Sequence, residues 1–152
     1  MDDRAIVERQ LGRPPRAFRR VAVRCPFGLP AVTEQAPFDD RGTPFPTEFW
    51  LTCRHLGAQI ARVEAGGGVE RWTAAAERDP ELRASLARAH AEQRALRPEL
   101  PGGVGGADRP GSLKCLHAHA AFALARPGYL LGDRILAEAA PLWPKDGCCL
   151  RL

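Results

Sequence analysis

The stretch FRRVAVRC, residues 18–25, decides the fold class of this chain. Apolar and polar side chains alternate along it, which places Val21, Val23 and Cys25 on one face. Arg24 lies on the opposite face of the same stretch. Alternation over this length is typical of a strand with one buried face. The pattern therefore predicts a β-sheet near the N-terminus.

Further elements flank this strand on both sides. Residues 3–11 have the apolar spacing of a short helix and are followed by Gly12, which is typical of a helix end. Residues 31–36 and 45–51 are candidate strands. Pro46 lies in the second of them, and proline cannot donate a hydrogen bond to a neighbouring strand. We therefore expect that strand at an edge of the sheet.

After residue 51 the apolar spacing becomes that of helices. Thr52 is a candidate N-cap for the first helix, and the glycine- and proline-rich segment 98–111 is a candidate long loop. His90 lies among charged residues and is expected on the surface. The predicted helices cover residues 52–65, 69–76, 80–97, 112–126 and 130–140.

The predicted architecture is α+β. A small antiparallel N-terminal sheet is covered by roughly four to six helices in a single domain, residues 1–140. A C-terminal tail, residues 141–152, follows this domain.

The composition and the charge pattern argue against two classes of partner. The chain has 152 residues, and its 22 Lys and Arg against 18 Asp and Glu give a formal charge of +4. The two signs of charge are interleaved without a basic block, so nucleic-acid binding is not expected. No segment approaches the run of about 18 apolar residues that crosses a bilayer, so membrane association is not expected. The N-terminus lacks the basic-then-apolar order of a signal peptide, which predicts a cytoplasmic protein with reduced thiols.

The hexapeptide KCLHAH, residues 114–119, concentrates side chains that can carry chemistry. It holds one of the five cysteines and two of the four histidines. It also holds Lys114, one of two lysines in a chain that otherwise uses arginine. Lysine is a compact charge whose pKa moves readily on burial, so its use in place of arginine indicates a site.

Three cysteines lie at predicted ends of strands or helices, where metal ligands can converge. They are Cys25, Cys53 and Cys115, and His117 and His119 closely follow the last of them. Thiolates and imidazoles bind zinc, so these residues form a candidate zinc site, with an iron–sulfur cluster as an alternative. Cys148 or Cys149 would replace one ligand if the tail folds back. Two other interpretations stay open, namely buried structural thiols and a catalytic thiol.

A second candidate site would bind an anion. The glycine-rich loop leads into the helix predicted from Ser112, and helix N-termini offer free N–H groups to anions. Lys114 and His117 are three residues apart and would share a face of that helix. The predicted anion pocket comprises Gly111, Ser112, Lys114 and His117. The alternative is a flexible loop with a solvated lysine.

Four short motifs, taken together, resemble those of a known bacterial family. They are RCPFG (residues 24–28), GTPFPT (42–47), WLTC (50–53) and KCLH (114–117). Over most of its length the chain resembles the mainly actinobacterial family named domain of unknown function 501. The resemblance implies a cytoplasmic single-domain protein. The family's genes often neighbour those of a septum-formation initiator and an exopolyphosphatase-like enzyme, which implies a loose connection to cell division or phosphate metabolism.

Two functional hypotheses follow. In the first, the protein holds a metal next to an anion pocket and acts on a small phosphorylated or carboxylated molecule. In the second, it is a non-catalytic interaction module with buried structural cysteines, and it binds a protein partner through its helices. The metal content of the purified protein would separate the two.

Overall fold

The first part of the chain forms the predicted antiparallel sheet, and helices cover it. A computed structural model describes residues 2–151. Over this range the chain forms a single α+β domain with three strands and six α-helices. In chain order they are α1 (Asp3–Leu11), β1 (Phe18–Arg24), β2 (Pro30–Gln35), β3 (Phe49–Leu51), α2 (Arg54–Ala65), α3 (Gly68–Arg78), α4 (Pro80–Leu96), α5 (Leu116–Ala125) and α6 (Leu130–Ala139). Met1 and Leu152, which the predicted domain and tail included, lie outside the described residues.

The strands are adjacent in the order β1-β2-β3, and both pairings are antiparallel. The central strand β2 is buried along its whole length, including its polar residues Thr33, Glu34 and Gln35. The third strand is shorter than predicted, because only Phe49–Leu51 pairs with β2. Pro46 precedes this strand, and the predicted edge position is confirmed.

The helix predicted from Thr52 begins two residues later. Helix α2 starts at Arg54, and Cys53 is its N-cap, with φ −66° and ψ 118°. The Cys53 thiol accepts the N–H of Leu56 at 3.5 Å, which is the capping role predicted for Thr52. The Thr52 hydroxyl is instead buried, without a hydrogen-bond partner among residues 2–151.

The helix predicted from Ser112 also begins late, at Leu116. Lys114 has a φ of 60°, a left-handed conformation that is uncommon outside glycine. The N–H of Cys115 donates to the carbonyl of Leu113 at 2.8 Å, which closes a three-residue turn around Lys114. The backbone therefore reverses locally before α5 starts, and residues 112–115 cannot belong to the helix.

Helix α5 is the centre of the hydrophobic core. Its sequence LHAHAAFALA has no charged face, and all residues from 118 to 123 are buried. A helix that is apolar on all sides is stable only when other elements surround it. α5 packs against the sheet, α2 and α6. Phe122 meets Phe49 of β3 edge to face, with 5.8 Å between ring centroids.

His90 of α4 is buried, and the prediction of a surface position was wrong. Only 2% of it is exposed. It lies four residues after Leu86, so it shares the apolar face of the helix. The loop over 98–111 folds onto this face, where the N–H of Val104 donates to His90 Nδ1 at 3.0 Å. Its charged neighbours Arg88 and Arg94 are exposed, and they misled the prediction.

The tail after α6 folds back onto the start of the domain. His55 Nε2 of α2 donates to the carbonyl of Pro141 at 2.9 Å. The guanidinium of Arg9 on α1 donates to the carbonyl of Arg151 at 3.1 Å. Leu142, Trp143 and Cys148 pack against the core between these two anchors. The tail is therefore held at both ends against helices that come early in the sequence.

Candidate functional site

The returning tail brings cysteines to the first turn of α2. Cys149 Sγ lies 3.8 Å from Cys53 Sγ, although 96 positions separate the two residues in the sequence. Cys53 is buried, whereas Cys149 is exposed. The two sulfurs are free thiols in van der Waals contact, at the end of a helix and beside solvent.

A second pair of thiols adjoins the first. Cys25 follows β1 and is buried in a tight turn, in which its N–H donates to the Leu29 carbonyl at 2.8 Å. Burial raises the pKa of Cys148, which precedes Cys149 in the chain, and the nearby Cys25 thiol adds to this shift. Cys25, Cys53, Cys148 and Cys149 are called the thiol cluster below. Three separate segments of the chain supply it.

The thiols of Cys53 and Cys149 differ in acidity. Burial raises the pKa of Cys53 to about 11, although the N–H of Leu56 acts against this shift. Burial also raises the pKa of Cys149, but the backbone N–H groups of His55 and Arg54 and the Cys53 thiol together outweigh it and leave the pKa below its ordinary value. A thiol at a helix N-terminus is stabilised as a thiolate by such N–H groups and by the helix dipole. These N–H groups and the exposure of Cys149 favour its thiolate form over that of buried Cys53.

The predicted set of metal ligands is not brought together as drawn. Cys25 and Cys53 belong to the thiol cluster, but Cys115 is the N-cap residue of α5 and lines a different cavity, of about 310 Å³, with Trp50 and His117. Among residues 2–151, no group of three or more histidine, cysteine, aspartate or glutamate side chains is arranged to hold a metal ion.

The two histidines of the hexapeptide have structural partners. His119 is fully buried between the Tyr129 hydroxyl, at 2.7 Å, and the carbonyl of Leu113, at 2.8 Å. Burial lowers the pKa of His119 to about 4, so its ring is neutral at pH 7. His117 lies 3.1 Å from the carboxylate of Glu64, which also accepts a backbone N–H at the start of α5. Both histidines therefore hold α5 in place.

The predicted anion pocket is only partly assembled. Gly111, Ser112 and Lys114 line one shallow groove of about 400 Å³, together with Arg109. His117 lies in the other cavity, because Lys114 is outside the helix and the two side chains do not share a helix face. Anion binding at Lys114 stays a prediction.

The tail cysteines were assigned only as substitute ligands from the sequence, although they supply half of the thiol cluster. Their one local signal is that they are adjacent. Nothing in the spacing of Cys148 and Cys149 indicates that they meet the start of α2.

Comparison with protein families supports the resemblance seen in the motifs. A family described as a protein of unknown function (DUF501) matches residues 21–102, which is more than half of the chain. The chain belongs to this family. The matched region contains Cys25 and Cys53, while Cys148 and Cys149 lie beyond it. Comparisons with curated proteins and with solved structures give no match. None of the helices between residues 2 and 151 has the length and apolar character of a membrane-crossing segment.

Proposed function

We propose that this protein is a thiol-based redox protein in which Cys149 is the reactive thiolate and Cys53 is the resolving thiol. The 3.8 Å separation of their sulfurs carries the proposal, because it lets one thiol attack the other after a small movement of the tail. An exposed thiol of low pKa beside a second cysteine is the arrangement that redox-sensing proteins use. Cys149 is exposed and can meet an oxidant, whereas Cys53 is buried and caps α2, so we assign the attacking role to Cys149 and the resolving role to Cys53.

The chemistry uses a hydroperoxide as oxidant. The Cys149 thiolate attacks the terminal oxygen of ROOH, the O–O bond breaks, and the alcohol ROH leaves after taking up one proton. Cys149 is then a sulfenic acid. The Cys53 thiol loses its proton and attacks the Cys149 sulfur, the S–O bond breaks, and water leaves. The two thiols together supply the two electrons that reduce the hydroperoxide. An external dithiol returns the disulfide to the reduced state by exchange.

The location of the pair links this chemistry to the conformation of the tail. Cys149 lies in a segment without regular secondary structure, held by the Arg9 and His55 contacts. A Cys53–Cys149 disulfide would tie this segment covalently to α2. The reduced protein holds the same segment by hydrogen bonds and packing alone. Oxidation would therefore change how firmly the tail is held against α1 and α2, so the conformation of the tail would depend on the redox state.

Disulfide mapping after mild oxidation tests the proposal. Reduced protein treated with one equivalent of hydrogen peroxide should give a Cys53–Cys149 crosslink in peptide mass spectrometry. Cys53→Ser should accumulate a sulfenic acid at Cys149 that dimedone traps, because the resolving thiol is missing. Iodoacetamide should modify Cys149 before Cys53 at pH 7, since the lower pKa leaves more thiolate.

Cys115→Ser is the matched control for these measurements. Cys115 lies outside the thiol cluster, so this variant should form the crosslink at the wild-type rate. A dominant Cys25–Cys148 or Cys148–Cys149 product, or faster alkylation of Cys53 than of Cys149, would contradict the assigned roles.

Binding of a thiophilic metal is a second candidate function, and one observation favours it. Four sulfurs at about 2.3 Å from zinc in a tetrahedron lie about 3.8 Å from one another. The Cys53–Cys149 separation has this value. Zinc is the first candidate and an iron–sulfur cluster the second. Either would require the tail to bring Cys25 and Cys148 closer to the other pair.

Cys25→Ser separates the two candidate functions. It removes one of four metal ligands but leaves the Cys53–Cys149 pair. For a metal protein we expect one bound equivalent of zinc or iron in wild type, measured on protein purified without a metal-affinity tag, and a loss of about tenfold or more in metal affinity in Cys25→Ser. For a redox pair, peroxide should crosslink Cys53 to Cys149 equally well in both proteins.

A further inference from the structure

A groove of about 500 Å³ lies between α4 and the glycine- and proline-rich loop, far in sequence from the thiol cluster. Its walls are largely apolar, with Ala87 on the helix and Pro101, Ala107 and Pro110 on the loop. Sites for small organic ligands have this size and this mainly apolar character, with a few polar groups that orient the ligand.

The loop wall of the groove is held rigidly on α4. The N–H of Val104 donates to His90 Nδ1 at 3.0 Å, and the N–H of Gly103 donates to the Ala107 carbonyl at 2.8 Å. A Cβ atom at Gly103 would lie 2.1 Å from His90 Nδ1, so only glycine allows this close approach. The groove is therefore formed before any ligand enters, which lowers the entropy cost of binding.

Two arginines line this groove. Arg94 projects from α4 and Arg109 from the loop, and neither forms an ion pair within residues 2–151. Asp108 also lines the groove, so two positive charges and one negative charge leave a net positive lining. The guanidinium group is a planar fork of donors that matches carboxylate and phosphate oxygens. These charges favour an anionic ligand.

The buried ring of His90 belongs to the same lining. Because its Nδ1 accepts the N–H of Val104, the neutral ring carries its proton on Nε2. Nε2 is buried and has no hydrogen-bond partner within residues 2–151. Burial lowers the pKa of His90, the charge of Arg94 adds to this shift, and the Ser112 carbonyl partly offsets it without reaching hydrogen-bond geometry. His90 is therefore neutral at pH 7, and the positive charge of the groove comes from the two arginines.

We propose that this groove binds a small organic oxyanion, a phosphate monoester or a carboxylate with a compact apolar body. Arg94 and Arg109 hold the anionic group between them, and the alanine and proline walls cover the apolar body. The buried ring of His90 forms part of the floor of the groove. The site contains no residue of the thiol cluster, so its test is independent of the proposed redox function.

Calorimetric titration of the full chain with phenyl phosphate and with benzoate tests this site. At least one of the two should bind saturably, and the better one identifies the anionic group. Inorganic phosphate should bind at least about tenfold more weakly than phenyl phosphate, because it lacks an apolar body. Arg94→Gln and Arg109→Gln should each weaken binding by about tenfold or more, since each removes a charge-assisted hydrogen bond.

Arg88→Gln is the matched control, because Arg88 is an exposed arginine of the same helix that does not line the groove. Its affinity should equal that of wild type. Equal losses in Arg88→Gln and Arg94→Gln would mean that only the overall charge of the protein attracts the anion. That result, or an absence of saturable binding by both probes, would overturn the proposal.

Discussion

Oxidation of the thiol cluster is expected to raise the free energy of unfolding by about 4 to 5 kcal/mol. A Cys53–Cys149 disulfide would close a loop that spans 96 positions. The chain-entropy model assigns about 4.7 kcal/mol to a loop of roughly 100 residues, because the link restricts the unfolded chain. For a domain of this size the melting temperature should rise by roughly 8 to 20 °C. Calorimetry of the reduced and the peroxide-treated protein measures the difference.

Single cysteine variants show which disulfide causes the increase in the free energy of unfolding. Cys148→Ser should keep the whole increase, because it leaves Cys53 and Cys149 and removes the competing partner of Cys25. Cys53→Ser and Cys149→Ser should lose it. If mass spectrometry confirms the crosslink and the melting temperature is unchanged, the expected effect of the loop on the unfolded chain is wrong.

Arg97→Met is expected to lower the free energy of unfolding by about 3 to 5 kcal/mol. Arg97 is 3% exposed, and its guanidinium donates to the carbonyls of Phe45, at 2.6 Å, and Gln35. It is also the principal positive charge acting on buried Glu48, whose pKa is raised by burial and lowered by Arg97. Methionine is apolar and offers no hydrogen-bond donors. The two carbonyls would therefore lose their hydrogen bonds, and the Glu48 carboxylate would lose the nearby positive charge. Urea unfolding at pH 7 measures the loss.

The acid dependence of this variant separates the two contributions. Burial raises the pKa of Glu48 above its unfolded value, so the ionised carboxylate costs stability at neutral pH, and this cost disappears as the pH falls through that pKa. Arg97→Met should therefore regain part of its stability relative to wild type in mild acid. Arg97→Met/Glu48→Gln should regain the same part at pH 7.

Arg88→Met controls for the loss of one positive charge from this part of the protein. Arg88 is exposed, and its replacement should change the free energy of unfolding by no more than about 0.5 kcal/mol. A double variant at positions 97 and 48 that is no more stable than Arg97→Met would show that Glu48 does not depend on the arginine.

Elements with strong local end signals were predicted closely. Helix α1 begins at Asp3 and ends at Leu11 as predicted, because Gly12 takes a left-handed conformation with φ 74° just after it. Helix α4 begins at Pro80, the first residue of its predicted range, and the carboxylate of Asp79 before it accepts the N–H groups of Glu81 and Leu82. In both cases the residue that caps the helix is adjacent to it in the sequence, so no distant contact determines where the helix begins or ends.

The start of α5 shows why other boundaries could not be predicted. The N–H of Leu116 donates to Glu64 at 2.7 Å, and Glu64 lies on α2, 52 positions earlier. This contact places the first turn of α5 after Lys114 and separates Lys114 from His117. The spacing of residues within 112–126 gives no information about a hydrogen-bond partner on another helix. The predicted anion pocket was drawn on a helical turn that the fold does not contain.

By itself, the sequence determined the α+β class, the order of the elements and the family, because periodicity, end signals and short motifs are all local properties of the chain. The tertiary structure alone decided which side chains meet. It placed His90 under a loop, assigned His117 and His119 to the support of α5, and paired Cys53 with Cys149. Each of these contacts closes a loop in the chain, and burial and hydrogen bonds formed elsewhere in the fold stabilise that closure. The sequence around each of these residues therefore does not indicate which distant residue it contacts.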